Sequence, residues 1–310
     1  MSRKKHVAVS LLVLMLCACS KQKTETADEP DRAEDGRGES SQVLNIALSV
    51  HATFDNLENG TRIVAPVALD RRYQKITKTE HIIEPKQEGL SGVPERSEDK
   101  ANLIFVSGPL SGKKAVYKAN YEVEIRSMRP GVFDSISGQP YGEFNDPKLR
   151  EALKGVDAAA EDPHAVVSEA FKATVSSKAT DAFRLASSFA KKLSEGGVPN
   201  RLVQGLIFTS DAAKPHVWVE ALLPQLGWAP FDPVMARDAE DGGTAYRGQH
   251  PPDRLRILFG REFTLKKKAD RVKIALSSPF QEPRAIVLGE KGITQSVGGS
   301  VTYALTRKKQ

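Results

Sequence analysis

His216 and Asp232 stand sixteen residues apart, in Pro215-His216-Val217-Trp218-Val219-Glu220 and Gly227-Trp228-Ala229-Pro230-Phe231-Asp232-Pro233. An imidazole that can take a proton, followed by a carboxylate that can orient it, is the pair that activates a nucleophile in acyl transfer. With such a pair the nucleophile is commonly a thiol, which is useful only as thiolate. A helix N-terminus and a neighbouring imidazolium both lower its pKa. The chain has two cysteines, Cys17 and Cys19, both in its first twenty residues. The body of the protein therefore offers a base and an orienting acid with no thiol beside them.

The sixteen-residue separation fits a strand through His216 to Leu222, a tight turn around Pro224-Gln225-Leu226-Gly227 and a returning strand. Arg201 to Phe208 reads as a further strand. Before it, Ala182, Leu185, Ala186, Phe189, Ala190 and Leu193 recur at three- and four-residue intervals, which gives a helix with one apolar stripe and with Arg184, Lys191 and Lys192 facing solvent. Gly196-Gly197 suits a left-handed cap for that helix. Two earlier helix starts stand at Asp146-Pro147 and Asp162-Pro163, where the aspartate caps and the proline takes the first helical position. The second of these helices turns Val166, Val167, Ala170, Phe171 and Thr174 inward and leaves His164 as an exposed residue of its first turn.

This helix and these strands resemble the core of the transglutaminase-like superfamily, a papain-like fold in which a nucleophile-bearing helix packs on an antiparallel sheet. The resemblance runs from about Asp146 to Phe263. Gly197-Val198-Pro199-Asn200-Arg201 is similar to the family's Gly-Ile-Pro-Ala-Arg step, His216-Val217-Trp218-Val219-Glu220 to its His-Ala-Trp-Val-Glu strand, and Gly227 to Pro233 to its Gly-Trp-Val-Pro-Phe-Asp-Pro strand. The resemblance implies that His216 is the base and Asp232 the orienting acid. Its Cys-x-x-Phe-Ala pattern, counted back from Gly197, places the nucleophile at Ala182. The site thus resembles a triad whose thiol has been replaced by a methyl group. Thr180, Ser176 and Ser177 precede that position, and Ser187 and Ser188 lie more than one turn into the helix. A two-residue shift of register would turn the helix by about 200° and contradict its apolar stripe.

The remaining chain supplies a leader, a tether and two β regions. Arg3, Lys4 and Lys5, the apolar run Val7 to Ala18 and then Cys19 make a secretory signal too short to span a bilayer. Leu16-Cys17-Ala18-Cys19 resembles a bacterial lipobox, which implies cleavage after Ala18, lipid on Cys19 and attachment to a membrane surface. Ser20 after the cysteine favours the outer membrane, facing the periplasm. Residues 19–42 are polar and charged and read as a disordered tether. Residues 43–128 read as an N-terminal antiparallel β domain of sandwich type, 129–145 as a linker, 146–263 as the transglutaminase-like core and 264–310 as a C-terminal β extension, either a second sandwich or an addition to the core sheet. The fold class is α+β.

The formal charge of +6 is dispersed, and short basic runs such as Lys266-Lys267-Lys268 read as solvated strand ends, so no nucleic-acid partner is expected. No Gly-rich phosphate loop and no ligand-spaced His, Cys and Asp cluster occurs, so neither a metal nor a nucleotide cofactor is expected. Trp218 and Trp228 read as core or cleft-wall aromatics, and His250 as a loop residue. The function these features suggest is a catalytically inactive lipoprotein acting as a peptide- or protein-binding or scaffold module in the cell envelope. The alternative is an amide-bond hydrolase or acyltransferase with an unrecognised nucleophile.

Overall fold

The computed structural model describes residues 43–71, 73–85, 92–98, 101–127, 133, 160, 162–179, 181–209, 212–224, 226–239, 243–249, 251, 253–260, 262–267, 270–275, 283–289 and 292–308. The leader, the tether, the helix expected at Asp146, Thr180 and His250 lie outside the described residues, as does all of the connection at 129–145 except Phe133.

The N-terminal strands are β1 (Val43–Phe54), β2 (Arg62–Val67), β3 (Gln74–Glu84), β4 (Val93–Arg96), β5 (Leu103–Val106) and β6 (Ala115–Arg126). The core follows with helices α1 (Pro163–Val175) and α2 (Ala182–Glu195), strands β7 (Asn200–Phe208), β8 (Ala213–Leu223) and β9 (Gly227–Phe231), the short helix α3 (Pro233–Arg237) and β10 (Arg254–Phe259). The chain ends with β11 (Glu262–Lys267), β12 (Asp270–Ala275), β13 (Arg284–Gly289), β14 (Gly292–Gly298) and β15 (Ser300–Arg307).

The N-terminal region is two antiparallel sheets, ordered β15-β1-β6-β3 and β14-β13-β2-β5-β4. Alternation fixes which face each strand buries: Ile46, Leu48, Val50, Ala52 and Phe54 on β1 and Tyr117, Ala119, Tyr121, Val123 and Ile125 on β6 point inward. They meet Ile63, Ala65, Val67 and Phe105 of the other sheet in one apolar cluster, which continues into the core through Leu206, Phe208, Leu255 and Ile257.

The C-terminal strands form neither a second sandwich nor an addition to the core sheet. β15 pairs with β1, with Ala52 opposite Val301, and β13 pairs with β2, with Val64 opposite Arg284. An unpaired edge on β1 or β2 would leave a row of backbone donors and acceptors without partners, and the returning strands supply them.

The core sheet has the order β10-β7-β8-β9, with every neighbouring pair antiparallel. On β8, Val217, Val219, Ala221 and Leu223 join the apolar cluster formed by α1 and α2, whereas Trp218 packs with Val203 and Phe259 on the opposite face. α2 buries Phe183, Leu185, Ala186, Phe189 and Leu193, and α1 buries Val167, Ala170, Phe171 and Thr174. Both helices are N-capped by aspartate: Asp162 accepts from the Ala165 amide and Asp181 from the Arg184 amide. α2 stops at Gly197, whose φ of 72° is costly for residues with a Cβ, and Val198 N–H donates to Leu193 O at 2.8 Å.

Two carboxamides fasten the N-terminal region to this sheet. Gln74 and Asn102 each donate to a backbone carbonyl of β10 and accept a backbone amide from it, at Arg256 and Phe259 respectively. The β11-β12 hairpin covers the same seam through Phe263, Leu265, Val272 and Ile274, packed against Val64, Ile104 and Ile286.

Candidate active site

His216 enters β8 opposite Gly205 of β7, and Asp232 directly follows β9. Their side chains meet: His216 Nε2 lies 2.7 Å from Asp232 Oδ2, with both residues buried. The carboxylate is fully engaged. Oδ1 accepts from the Met235 amide at 3.0 Å, which caps α3, and Oδ2 also accepts from Arg254 Nη1 at 2.9 Å. Burial alone would push the Asp232 carboxyl up. The His216 imidazole, the hydrogen bond it makes, the Arg254 guanidinium and the Met235 amide outweigh that and hold the carboxyl below its usual range. An ionised carboxylate only accepts hydrogen bonds, so Nε2 is the donor. Nδ1 is then the nitrogen left to face a reacting group.

Arg254 is the residue that sequence reasoning missed. In Asp253-Arg254-Leu255-Arg256-Ile257 the arginines alternate with apolar residues, and a half-buried strand would place them in solvent. Both are buried instead, because Asp232 and Glu220 wait for them. Burial lowers the affinity of the Arg254 guanidinium for its proton, but Asp232 and Asp253 more than reverse this. Gly205 makes the arrangement possible. It sits between Arg256 and His216 in register, and a Cβ there would lie 2.0 Å from Leu255 O and 2.6 Å from the Trp218 ring.

Ala182 is the first residue of α2, half-buried against the cluster that holds Val217 and Phe231, the immediate neighbours of His216 and Asp232. A contact from the acid's own segment reaches the chain entering α2: Arg237, the last residue of α3, donates through Nη1 to Ala179 O. Ser176 and Ser177 lie at the end of α1, where their backbone amides donate to Lys172 O and Thr174 O. Ser187 and Ser188 lie within α2.

The two tryptophans hold different places. Trp218 is 0 % exposed, so it packs in the core and lines no open cleft; its ring lies 6.2 Å from that of His216, roughly parallel. Trp228 is half-buried and stacks on Arg201, whose guanidinium lies 4.2 Å from the Trp228 ring and 3.9 Å from that of Phe259. Arg71 covers Phe259 in turn at 4.5 Å. Arg201 also holds Glu220, which is 0 % exposed, at 2.8 and 2.9 Å through Oε2. Arg256 Nε approaches the other oxygen of Glu220 to 2.7 Å without hydrogen-bond alignment, so that contact is coulombic. Burial raises the Glu220 carboxyl, but Arg256, Arg201 and Arg71 together hold it low. Burial, and then the charges of Arg201 and Arg256, bring Arg71 down to about 9.

His164 is not an exposed residue. It is half-buried, stacks on Phe133 at 4.2 Å, and its Nε2 lies 2.9 Å from Phe133 O. Among the described residues no group of three or more His, Cys, Asp or Glu is placed to hold a metal ion.

The family model described as the transglutaminase-like superfamily matches residues 150–233, a span that contains α1, α2 and β7 to β9 and ends just after Asp232. The crystal structure of a candidate cysteine protease from Cytophaga hutchinsonii is similar with a TM-score of 0.50 at 13% identity, over 88% of this chain and 93% of that one. At that identity the likeness is one of fold. No curated protein matches the chain in sequence. The fold is α+β, largely antiparallel sheet with few helices, around a transglutaminase-like, papain-like core.

Proposed function

We propose that this chain is a lipid-anchored, transglutaminase-like protein of the bacterial cell envelope that binds a peptide or protein without turning it over. The observation that carries this reading is the buried His216, Asp232 and Arg254 set, in a chain with Ala182 where the family resemblance puts the thiol. A methyl group forms no covalent acyl intermediate, so the imidazole has no thiol to activate. What remains is a polar set of fixed geometry, which we read as an anchor that holds a peptide amide and does not cleave it. Lipid on Cys19 and the tether 19–42 hold the module on the periplasmic face of the outer membrane.

The deciding assay offers glutamine-containing peptides with an amine donor, and cell-wall peptides, to the native chain and to Ala182→Cys. The native chain gives no turnover, and Ala182→Cys gains turnover that His216→Ala removes. Turnover by the native chain that His216→Ala abolishes would replace this reading with that of an amide-bond hydrolase or acyltransferase using another nucleophile. The intact His216 and Asp232 pair keeps that second reading chemically coherent.

A further inference from the structure

We infer that Arg237 is a positioning residue that sets the entry of α2 against the His216 and Asp232 pair. Asp232 acts in two directions. Through Oδ2 it holds His216 and Arg254, and through Oδ1 it caps α3 at the Met235 amide. α3 is only Pro233–Arg237, so it carries the carboxylate at one end and Arg237 at the other.

α3 is also clamped from outside. The Asp232 amide donates to Tyr246 O at 2.9 Å, and Phe231 bridges to Arg247. Gly243 lies so close behind the helix that a Cβ there would come within 2.4 Å of the Ala236 Cβ. A brace held at these points cannot drift independently of the carboxylate. Its free end, the Arg237 guanidinium, donates through Nη1 to Ala179 O, while Nε pairs with Asp238 at 3.2 Å. Two residues beyond Ala179, Asp181 caps α2: its side chain takes the Arg184 amide at 2.7 Å and its carbonyl the Leu185 amide at 3.0 Å. The path from acid to helix entry is therefore short and polar.

The Arg237 side chain is 28% exposed, so Arg237→Ala also removes buried stem contact, which Arg237→Lys retains in part. Its planar fork, fixed in direction by Asp238, makes it a spacer of defined length. The functional half of this inference rests on the reading of position 182 given above; the geometric half does not.

The test uses the full chain in two forms. In Ala182→Cys, iodoacetamide alkylation is followed against pH on the peptide that carries position 182, so that other thiols do not contribute. The expected parent behaviour is fast alkylation at neutral pH that His216→Ala slows. Adding Arg237→Ala slows it by at least about tenfold and moves its pH profile toward that of an ordinary thiol, and Arg237→Lys restores part of the rate. In the native chain, Arg237→Ala speeds amide exchange at Arg184 and Leu185 and leaves Phe189 unchanged. With an activated parent thiol, an alkylation profile unmoved by Arg237→Ala overturns the inference. A slow thiol indifferent to His216 overturns the reading of position 182 instead. Exchange at Arg184 and Leu185 then decides, faster exchange supporting the brace and unchanged exchange ending it.

Discussion

Gln74 and Arg256 are joined as two neighbouring strands would be: Gln74 Nε2 donates to Arg256 O at 2.9 Å, and the Arg256 amide donates to Gln74 Oε1 at 2.8 Å. The carboxamide copies the hydrogen-bonding edge of a peptide unit and closes the outer edge of β10 with a single side chain. Gln74→Leu keeps the volume and leaves both backbone groups of Arg256 buried without partners. The expected loss is about 2–4 kcal/mol, read as a lower denaturant midpoint at unchanged slope.

Gly205 is required by space and not by turn geometry. Gly205→Ala puts a methyl against Leu255 O and the Trp218 ring, and neither can withdraw without moving β10 or the indole under His216. Overpacking of this kind costs about 1–3 kcal/mol or more. Thermal unfolding of the variant is expected to begin well below that of the native chain.

Arg254 and Asp232 are coupled. Arg254→Met removes the permanent cation from a carboxylate that stays buried, at an expected cost of about 3–5 kcal/mol. Asp232→Asn in the same chain relieves the stranded charge, so the double variant should be more stable than the sum of the two single changes implies. A strictly additive double-mutant cycle would show that the two groups do not share their charge.

Burial holds the His81 imidazole down to about 4, against an ordinary value of 6.5. The ring is stacked on Phe105 at 4.7 Å, its Nδ1 meets the Tyr117 hydroxyl at 2.9 Å, and its buried Nε2 has no hydrogen-bond partner among the described residues. Between those two pH values the unfolded chain binds the proton and the folded chain does not. The stability associated with neutral His81 is therefore complete above 6.5, falls as pH drops through that window and levels off below 4. The difference is on the order of 3 kcal/mol. His81→Phe should flatten the pH dependence over this window relative to the native chain, and equal slopes would assign the effect to another group.

Lipid attachment is tested at its own residue. A clickable fatty acid fed to cells expressing the chain should label it, and Cys19→Ser should abolish the label and release the protein from the membrane fraction. Labelling that survives Cys19→Ser would place the anchor elsewhere.

Where local pattern decides structure, the sequence could be read directly. The stripe of α2, the Asp162 cap of α1 and the turn between β8 and β9 follow from spacing, and the facing strands of His216 and Asp232 follow from the family motifs. β3 is hard to read from the sequence because Lys75, Thr77, Lys78, Thr79 and Glu80 give it a largely solvated face with little apolar alternation. The pairing of β15 with β1 was illegible because strand order depends on partners far along the chain, which periodicity does not encode. The burial of Arg254 and Arg256 was illegible for an electrostatic reason: a strand shows which residues share a face, but whether that face is wet depends on carboxylates contributed by other strands.

The return of β13 and β15 to β2 and β1 bears on how the polypeptide comes to be folded. Synthesis delivers the chain from its amino end, so β1 emerges with β6 soon available on one side, while the partner of its other edge, with Val301 opposite Ala52, follows much later. Contacts this distant in sequence form slowly, and the waiting edge is open to other strands. β15 thus acts as a latch on β1, and a chain lacking Ser300–Arg307 should associate through the open β1 edge.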